Sequence, residues 1–258
     1  MVANIDDNVG RLLDQLDAWG LRERTLIVFM NDNGGTGGVK VFNAGMRGQK
    51  GSPWLGGTRA ASFWRWPGHL QPRDVSALAA HVDFFPTLVA LAQAKLSPAV
   101  QAQVEGRSLV PLLTEPSAQW PERTLFTHVG RWARFANPDD SKFTQCAVRT
   151  PRWHLVSIKG GVAPAWELFD LAADPSEKTN VAAAHPEVVA QLAREYDAWW
   201  AAARAGMVNE QAVGPRLNPF AARYWQQFGG EPDADDLRIM EPSQRTIPKG
   251  RGAANGTP

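Results

Sequence analysis

The stretch TLIVFMNDNGGTGG, residues 25–38, ends an apolar run in Asn31, Asp32 and Asn33 and then passes into glycine. In open α/β sheets, ligands collect at the carboxyl ends of strands, where loops replace the hydrogen-bonded ladder. A carboxylate beside a side-chain amide oxygen supplies two hard oxygen donors, the kind calcium or magnesium prefers. The glycines that follow let a backbone approach an anion closely. Asp-Asn-Gly-Gly is also a favoured turn sequence, so this string alone leaves a cation site and a plain turn both open. A second candidate is RGQKGSPWLGGTR, residues 47–59, where Lys50 lies in a glycine-bearing loop. A lysine there either meets an anionic group as a flexible point charge or is merely solvated. His128, in LFTHVGRW, either borders a substrate pocket together with Arg131 and Trp132 or hydrogen-bonds locally at a strand end.

The elements that must hold these residues follow from periodicity. Ile5, Val9, Leu12, Leu13, Leu16 and Trp19 recur at helical spacing, which predicts a helix over 3–19 stopped by Gly20. The run TLIVFM reads as a strand buried on both faces, and helix, short turn, strand is one step of an α/β fold. The glycine-rich segment from Asn31 to Gly57 has no sustained period and reads as a long functional loop. AASFWRWPG (60–68) reads as a strand, DFFPTLVALAQA (83–94) as a helix that Asp83 could cap, and GRSLVPLL (106–113) as a short apolar segment. Past a proline-bearing break, TLFTHV, TQCAVRT, RWHLVSI and AWELFDL are short and β-rich, which predicts antiparallel strands. A helix with Val188, Val189, Leu192, Tyr196, Trp199 and Trp200 on one stripe would cover them. The expected division is 1–117 as α/β domain, 118–205 as small α+β subdomain, and 206–258 as an extension ending in a disordered tail, KGRGAANGTP.

Bulk properties narrow the partners. A net charge of +1 over 258 residues gives no reason to expect a nucleic-acid or anionic-membrane partner. No apolar run approaches the roughly 20 residues of a membrane span. The start, MVANIDDNVGRLL, is amphipathic and acidic, unlike a signal peptide. The single cysteine, Cys146, cannot form an internal disulfide, which leaves the compartment open. It sits in a strand-like setting as a small core residue. Eleven tryptophans suit either an aromatic-lined sugar or aryl pocket or, more commonly, core filling.

Taken in order, five blocks resemble the C-terminal half of the sulfatase family: ANIDDNVGRLLDQLDAWGLRERTLIVFMNDNGG, FNAGMRGQKGSPWLGGTRAASFWRWPG, AHVDFFPTLVALA, GRSLVPLL and WELFDLAADPSEKTNVAAAHPEVVAQL. Together they cover roughly residues 3–205. The resemblance implies an alkaline-phosphatase-like α/β fold, here a partial mixed sheet with flanking helices, followed by a small antiparallel sheet with a covering helix. It also implies hydrolysis of a small-molecule sulfate ester, aryl or sugar. In that family a formylglycine made from cysteine attacks sulfur, and a divalent cation, usually calcium with magnesium an alternative, holds the sulfate. The family's strand-end ligand pair matches Asp32 and Asn33, and the sulfate-contacting lysine of its G-x-K-G-x-x-x-x-G-G-x-R loop matches Lys50.

Departures from the pattern shape the expectation. The nucleophile segment C-x-P-S-R is absent, since Cys146 lies in CAVRT, and the family's N-terminal aspartate pair, which completes the metal site, and its catalytic His and Lys partners are absent too. Leu55 stands where glutamate is common, and Ala61 where proline is. The expectation is therefore a sulfatase fragment, inactive alone, with its N-terminal half and any export signal upstream and a periplasmic or secreted parent. Such a chain would have the missing half as partner, or self-associate through an exposed sheet. A phosphodiesterase or phosphonate hydrolase of the same superfamily, and a non-catalytic remnant or partner protein, are the alternatives. Arg59 is expected to tie the glycine loop to the sheet, and His81 to orient the helix that follows it.

Overall fold

The computed structural model describes residues 2–133, 135–208, 219–231 and 234. The chain divides into two compact units, one up to Ala205 and one from Gly206, and each is described by itself.

The first unit opens with helix α1 (Val2–Ala18). Its stop is chemical: Gly20 takes φ +67° and donates its N–H to the Asp17 carbonyl at 3.0 Å, while the Leu21 N–H reaches Leu16 at 2.9 Å. These are the paired closing bonds of a Schellman cap. Strand β1 (Ile27–Met30) follows. After a long loop come the short helix α2 (Leu55–Thr58) and strand β2 (Ser62–Arg65). β1 and β2 pair antiparallel, with Ile27 opposite Arg65 and Met30 opposite Ser62. The run at 25–30 is not buried on both faces as its composition suggested. Phe29 is 43% exposed, because among the described residues β2 is the one strand paired with β1.

Helix α3 (Phe84–Leu91) packs beside this ribbon, with Trp64 against Phe84, and the short helices α4 (Pro98–Gln101) and α5 (Val110–Thr114) follow it, α5 in contact with α3. Asp83 occupies the N-cap position of α3, yet its side chain does not cap the helix. The buried carboxylate accepts from the Ala80 and Arg107 backbone N–H groups at 2.8 Å and from Arg123 Nη1 at 2.7 Å. Paired charge and backbone donors together offset the cost of removing that carboxylate from water. The pair fixes the start of α3 to the segments at 107 and 123. His81 reaches the other way, its Nε2 lying 3.1 Å from the Asn31 carbonyl at the end of β1.

Strands β3 (Leu125–His128), β4 (Thr144–Arg149), β5 (Trp153–Lys159) and β6 (Trp166–Asp170) form an antiparallel sheet whose spatial order is the chain order. Each matches one of the β-rich segments read from sequence. Side chains alternate across the pleat, so the two faces have different cover. Helix α6 (Pro186–Arg204) lies on one face with Leu192, Tyr196 and Trp200 buried, and the Tyr196 hydroxyl donates to the Lys142 carbonyl. On the other face Ala147, Val156 and Phe169 form a core with Trp54 and Leu55 from the long loop. Cys146 is fully buried, and burial pushes its thiol up to about 11, so it is a core residue.

The second unit contains helix α7 (Pro219–Phe228), which weak periodicity did not reveal. Proline in its first turn suits a helix start, and the Tyr224 and Phe228 rings meet one turn apart, tilted, at 5.0 Å. The tail KGRGAANGTP, 249–258, lies outside the described residues.

Candidate functional site

Asp32 and Asn33 stand just past the end of β1, where the chain leaves the ladder. Backbone pairing then brings the two candidate segments side by side. The Gly34 N–H donates to the Gly57 carbonyl at 3.0 Å, and the Lys50 N–H donates to the Gly35 carbonyl at 2.9 Å. The approach at Gly34 admits no side chain, for a Cβ there would sit 1.8 Å from the Gly56 oxygen. Glycine is thus what lets the Asp-Asn corner nest against the Lys50 loop.

The loop is firmly built at its stem and open at its tip. Asn43 Nδ2 donates to the carbonyls of Met46 and Gly48 at 2.7 and 2.9 Å, and the Gly56 N–H donates to Arg47 at 2.7 Å. Ser52 Oγ donates to the Gln49 carbonyl at 2.7 Å, closing the turn around Lys50. Pro53, Trp54 and Leu55 are buried, while Lys50 and Asp32 are exposed and Asn33 is half-buried. Among the described residues, no hydrogen bond or ion pair engages the side chains of Asp32, Asn33 or Lys50. No cluster of three His, Cys, Asp or Glu side chains suited to a metal occurs among the described residues either. Asp32 and Asn33 therefore present a carboxylate and one amide oxygen, at most three of the roughly six to eight oxygens that calcium takes.

His128 has both ring nitrogens engaged within the chain. Nδ1 accepts from the Gly130 N–H at 2.7 Å, and Nε2 lies 2.9 Å from the Ser141 carbonyl. Partial burial holds its pKa below the ordinary 6.5, and the ring packs against Trp200 at 5.0 Å. This is the local hydrogen bonding of a strand-end histidine. The Arg59 side chain, expected to tie the loop to a sheet, is exposed and makes no hydrogen bond among the described residues. Arg47 makes that tie instead: its guanidinium lies 3.7 Å above the Trp54 ring and donates to the Glu177 carbonyl at 3.0 Å.

Sequence reasoning also missed Glu177 and His154. Glu177 is fully buried, with Oε1 2.5 Å from His154 Nδ1 and Oε2 accepting the Leu55 N–H at 3.0 Å. Burial lowers the pKa of His154 despite the carboxylate beside it, so the neutral ring donates its Nδ1–H to Glu177. Arg149 lies within reach of the same carboxylate's field, and burial lowers its guanidinium to about 10. A buried Glu in a DPSE turn carries no periodic signal, and its partner at 154 sits in a strand read as ordinary.

The sulfatase family model matches residues 1–94, and the model described as N-sulphoglucosamine sulphohydrolase, C-terminal, matches residues 57–199. The chain is 29% identical over 216 residues to an N-acetylgalactosamine-6-O-sulfatase of Bacteroides thetaiotaomicron, covering 74% of this chain and 39% of that protein. It is 31% identical over 215 residues to human arylsulfatase A, covering 73% and 40% respectively. The crystal structure of Ps i-CgsB in complex with k-i-k-neocarrahexaose aligns with a TM-score of 0.64 at 25% identity, covering 88% of this chain and 46% of that one. The chain thus spans about two fifths of the length of the curated relatives it matches. Its architecture is the expected alkaline-phosphatase-like α/β fold with a small antiparallel sheet and covering helix. By both family models and the relatives they agree with, the chain belongs to the sulfatase family.

Proposed function

We propose that this chain supplies the cation-binding and sulfate-binding part of sulfuric ester hydrolysis, with residues 1–117 carrying the site and 118–205 supporting it. The observation that carries this reading is the backbone pairing of Gly34 with Gly57 and of Gly35 with Lys50, which sets the Asp-Asn corner beside the lysine loop. The Asp32 carboxylate and the Asn33 amide oxygen would hold a divalent cation. Hard oxygens without a partner among the described residues suit calcium best and magnesium second. When bound, such an ion polarises sulfate oxygens as a Lewis acid. Lys50, exposed at the loop tip, would place its ammonium against a sulfate oxygen and offset negative charge there.

The nucleophile is not among these residues. C-x-P-S-R does not occur in the 258 residues, and Cys146, the sole cysteine, is sealed in the core with a raised pKa. We therefore assign formylglycine chemistry to a segment other than those described and turnover by this chain alone to zero. A sulfated sugar is the favoured substrate, supported by the names of two relatives, one an N-acetylgalactosamine-6-O-sulfatase and one solved in complex with k-i-k-neocarrahexaose.

Calorimetric titration tests the assignment. Calcium should bind the wild-type chain, and Asp32→Ala should abolish that heat, whereas Lys50→Ala should leave it and weaken sulfate binding. Identical calcium isotherms for wild type and Asp32→Ala would sink the cation assignment. Turnover of an aryl sulfate by the 258-residue chain would sink the claim that its nucleophile lies elsewhere.

A further inference from the structure

Glu177 grips both stems of the loop that carries Lys50. Its carbonyl accepts from Arg47 at 3.0 Å on one side, and its carboxylate accepts the Leu55 N–H at 3.0 Å on the other. Lys50 lies between these two stems, and its own N–H continues the path to Gly35, next to the Asp-Asn corner. On its far side the same carboxylate meets His154 at 2.5 Å, a buried residue of β5 in the middle of the dense sheet. The Leu55 N–H opens α2 and has no partner within that helix, so the bond to Glu177 satisfies a donor that burial would otherwise strand.

Two features argue that Glu177 does more than fill space. A fully buried carboxylate is expensive to desolvate, and an apolar side chain would fill the same volume without that cost. What the carboxylate adds is direction: two hydrogen bonds that fix one stem relative to one strand. Glu177 also holds φ +56°, a left-handed backbone that a non-glycine residue adopts where its surroundings demand it. The demand is visible. The Glu177 N–H bonds the Asp174 carbonyl at 3.1 Å, and Asp174 Oδ2 accepts from the Lys178 and Thr179 N–H groups at 2.6 and 2.8 Å.

We propose that Glu177 is a positioning residue for Lys50, its carboxylate tying the Leu55 stem of the loop to β5 while its carbonyl holds the Arg47 stem. This rests on the reading of Lys50 as the sulfate contact. It predicts that loosening Glu177 weakens sulfate engagement at Lys50 in a way that general destabilisation does not.

The test uses the full chain and inorganic sulfate, read as protection of the Lys50 amine from acetylation by peptide mass spectrometry. All variants are compared at a temperature where circular dichroism shows them folded. Glu177→Ala should raise the sulfate concentration for half-protection about tenfold, and Glu177→Gln, which keeps an acceptor for Leu55, about threefold. Leu192→Ala, which weakens the α6 face of the same sheet, should leave the midpoint at the wild-type value. A wild-type midpoint in Glu177→Ala, or an equal shift in Leu192→Ala, overturns the positioning role while leaving Lys50 as the sulfate contact. If Glu177→Ala does not fold, the glutamine variant decides, and a wild-type midpoint there overturns the role. Absence of sulfate protection at Lys50 in the wild-type chain overturns the sulfate reading and the positioning role with it.

Discussion

The two sheets of the first unit are built to different densities. In β5, Leu155 and Val156 are fully buried, whereas in the β1–β2 ribbon Phe29 is 43% and Phe63 65% exposed. The candidate site belongs to the sparse region, and its three side chains have no hydrogen-bond or ion-pair partner among the described residues. The dense region has none of those residues but holds the ends of the loop that does. Trp54 and Leu55 reach from the loop into the core at Ala147, Val156 and Phe169, and Glu177 reaches back. A site whose side chains must stay free for a ligand cannot be ordered by them. Here its order is imported through backbone bonds and buried neighbours.

Truncation on each side of the comparison gives its largest contrast. Phe169 is 1% exposed and meets Trp54 edge-on at 5.3 Å. Phe169→Ala should cost about 3–5 kcal/mol in urea unfolding, by lost burial and the cavity left behind. It should also loosen the Trp54 end of the lysine loop, readable as a changed tryptophan emission in the folded state. A cost below that of an ordinary surface change would mean the loop does not rest on this sheet. Asp83→Ala comes next. It strands Arg123, 7% exposed, without its carboxylate, and should cost about 3 kcal/mol in the same assay. A smaller loss would show that Arg123 reaches water once freed.

Gly34→Ala probes the junction between the regions and should cost about 1–3 kcal/mol, the usual range for forcing extra atoms into a packed site. The contact it would break is backbone against backbone, which a side-chain rotation cannot relieve. Calcium heat should fall with it, since the Asp-Asn corner is held by the same pairing. An unchanged isotherm would separate that pairing from the cation site.

Legibility followed the same division. All four strands of the dense sheet and its covering helix were readable, because alternation and a helical stripe are imposed by burial on known faces. Type and spacing alone left Asp32, Asn33 and Lys50 open between a site and a plain turn or solvated loop, and the family resemblance singled them out; the structure shows their two segments joined by backbone bonds. The cover of β1 was misread: an apolar run such as TLIVFM records what a strand can be buried against, and Phe29 shows that cover is not supplied by the described residues. Asp83 was expected to cap the helix after it, and its carboxylate instead turns back to the Ala80 N–H and reaches Arg107 and Arg123, distant in sequence. Glu177 and His154 were not singled out at all. Their partnership exists only after the DPSE turn folds against β5, and no local period encodes it.

A smaller effect separates the regions by pH. The folded-state pKa of His154 lies below the ordinary 6.5 because burial outweighs the attraction of Glu177. Above 6.5 the ring is neutral in both states. As pH falls below that value the unfolded chain takes the proton first, so stability declines until pH passes the folded value. His128 shifts the same way for the same cause. The carboxylates held low, Asp139, Asp170 and Asp174, act in a separate window below 3.8. Melting temperature should therefore fall between about pH 7 and 5, and His154→Gln should flatten that fall. An unchanged slope in the variant would assign the decline to His128.

Phe29→Ala should have the smallest effect, at most about 1 kcal/mol, because its ring pairs with the exposed Phe63 at 6.4 Å rather than with a core. That smallness is informative. The ribbon exposes apolar rings and, among the described residues, has no third strand on its edges, the kind of surface that recruits another chain. If a second copy or another polypeptide covers it in solution, Phe29 is buried there and its truncation should cost as much as a core change. Unfolding should then also depend on protein concentration. Sedimentation at two concentrations, run beside the urea melts of wild type and Phe29→Ala, distinguishes the cases. A monomer with a small Phe29 cost keeps the sparse region sparse, whereas a dimer lost on truncation would move Phe29 to the dense side of the comparison.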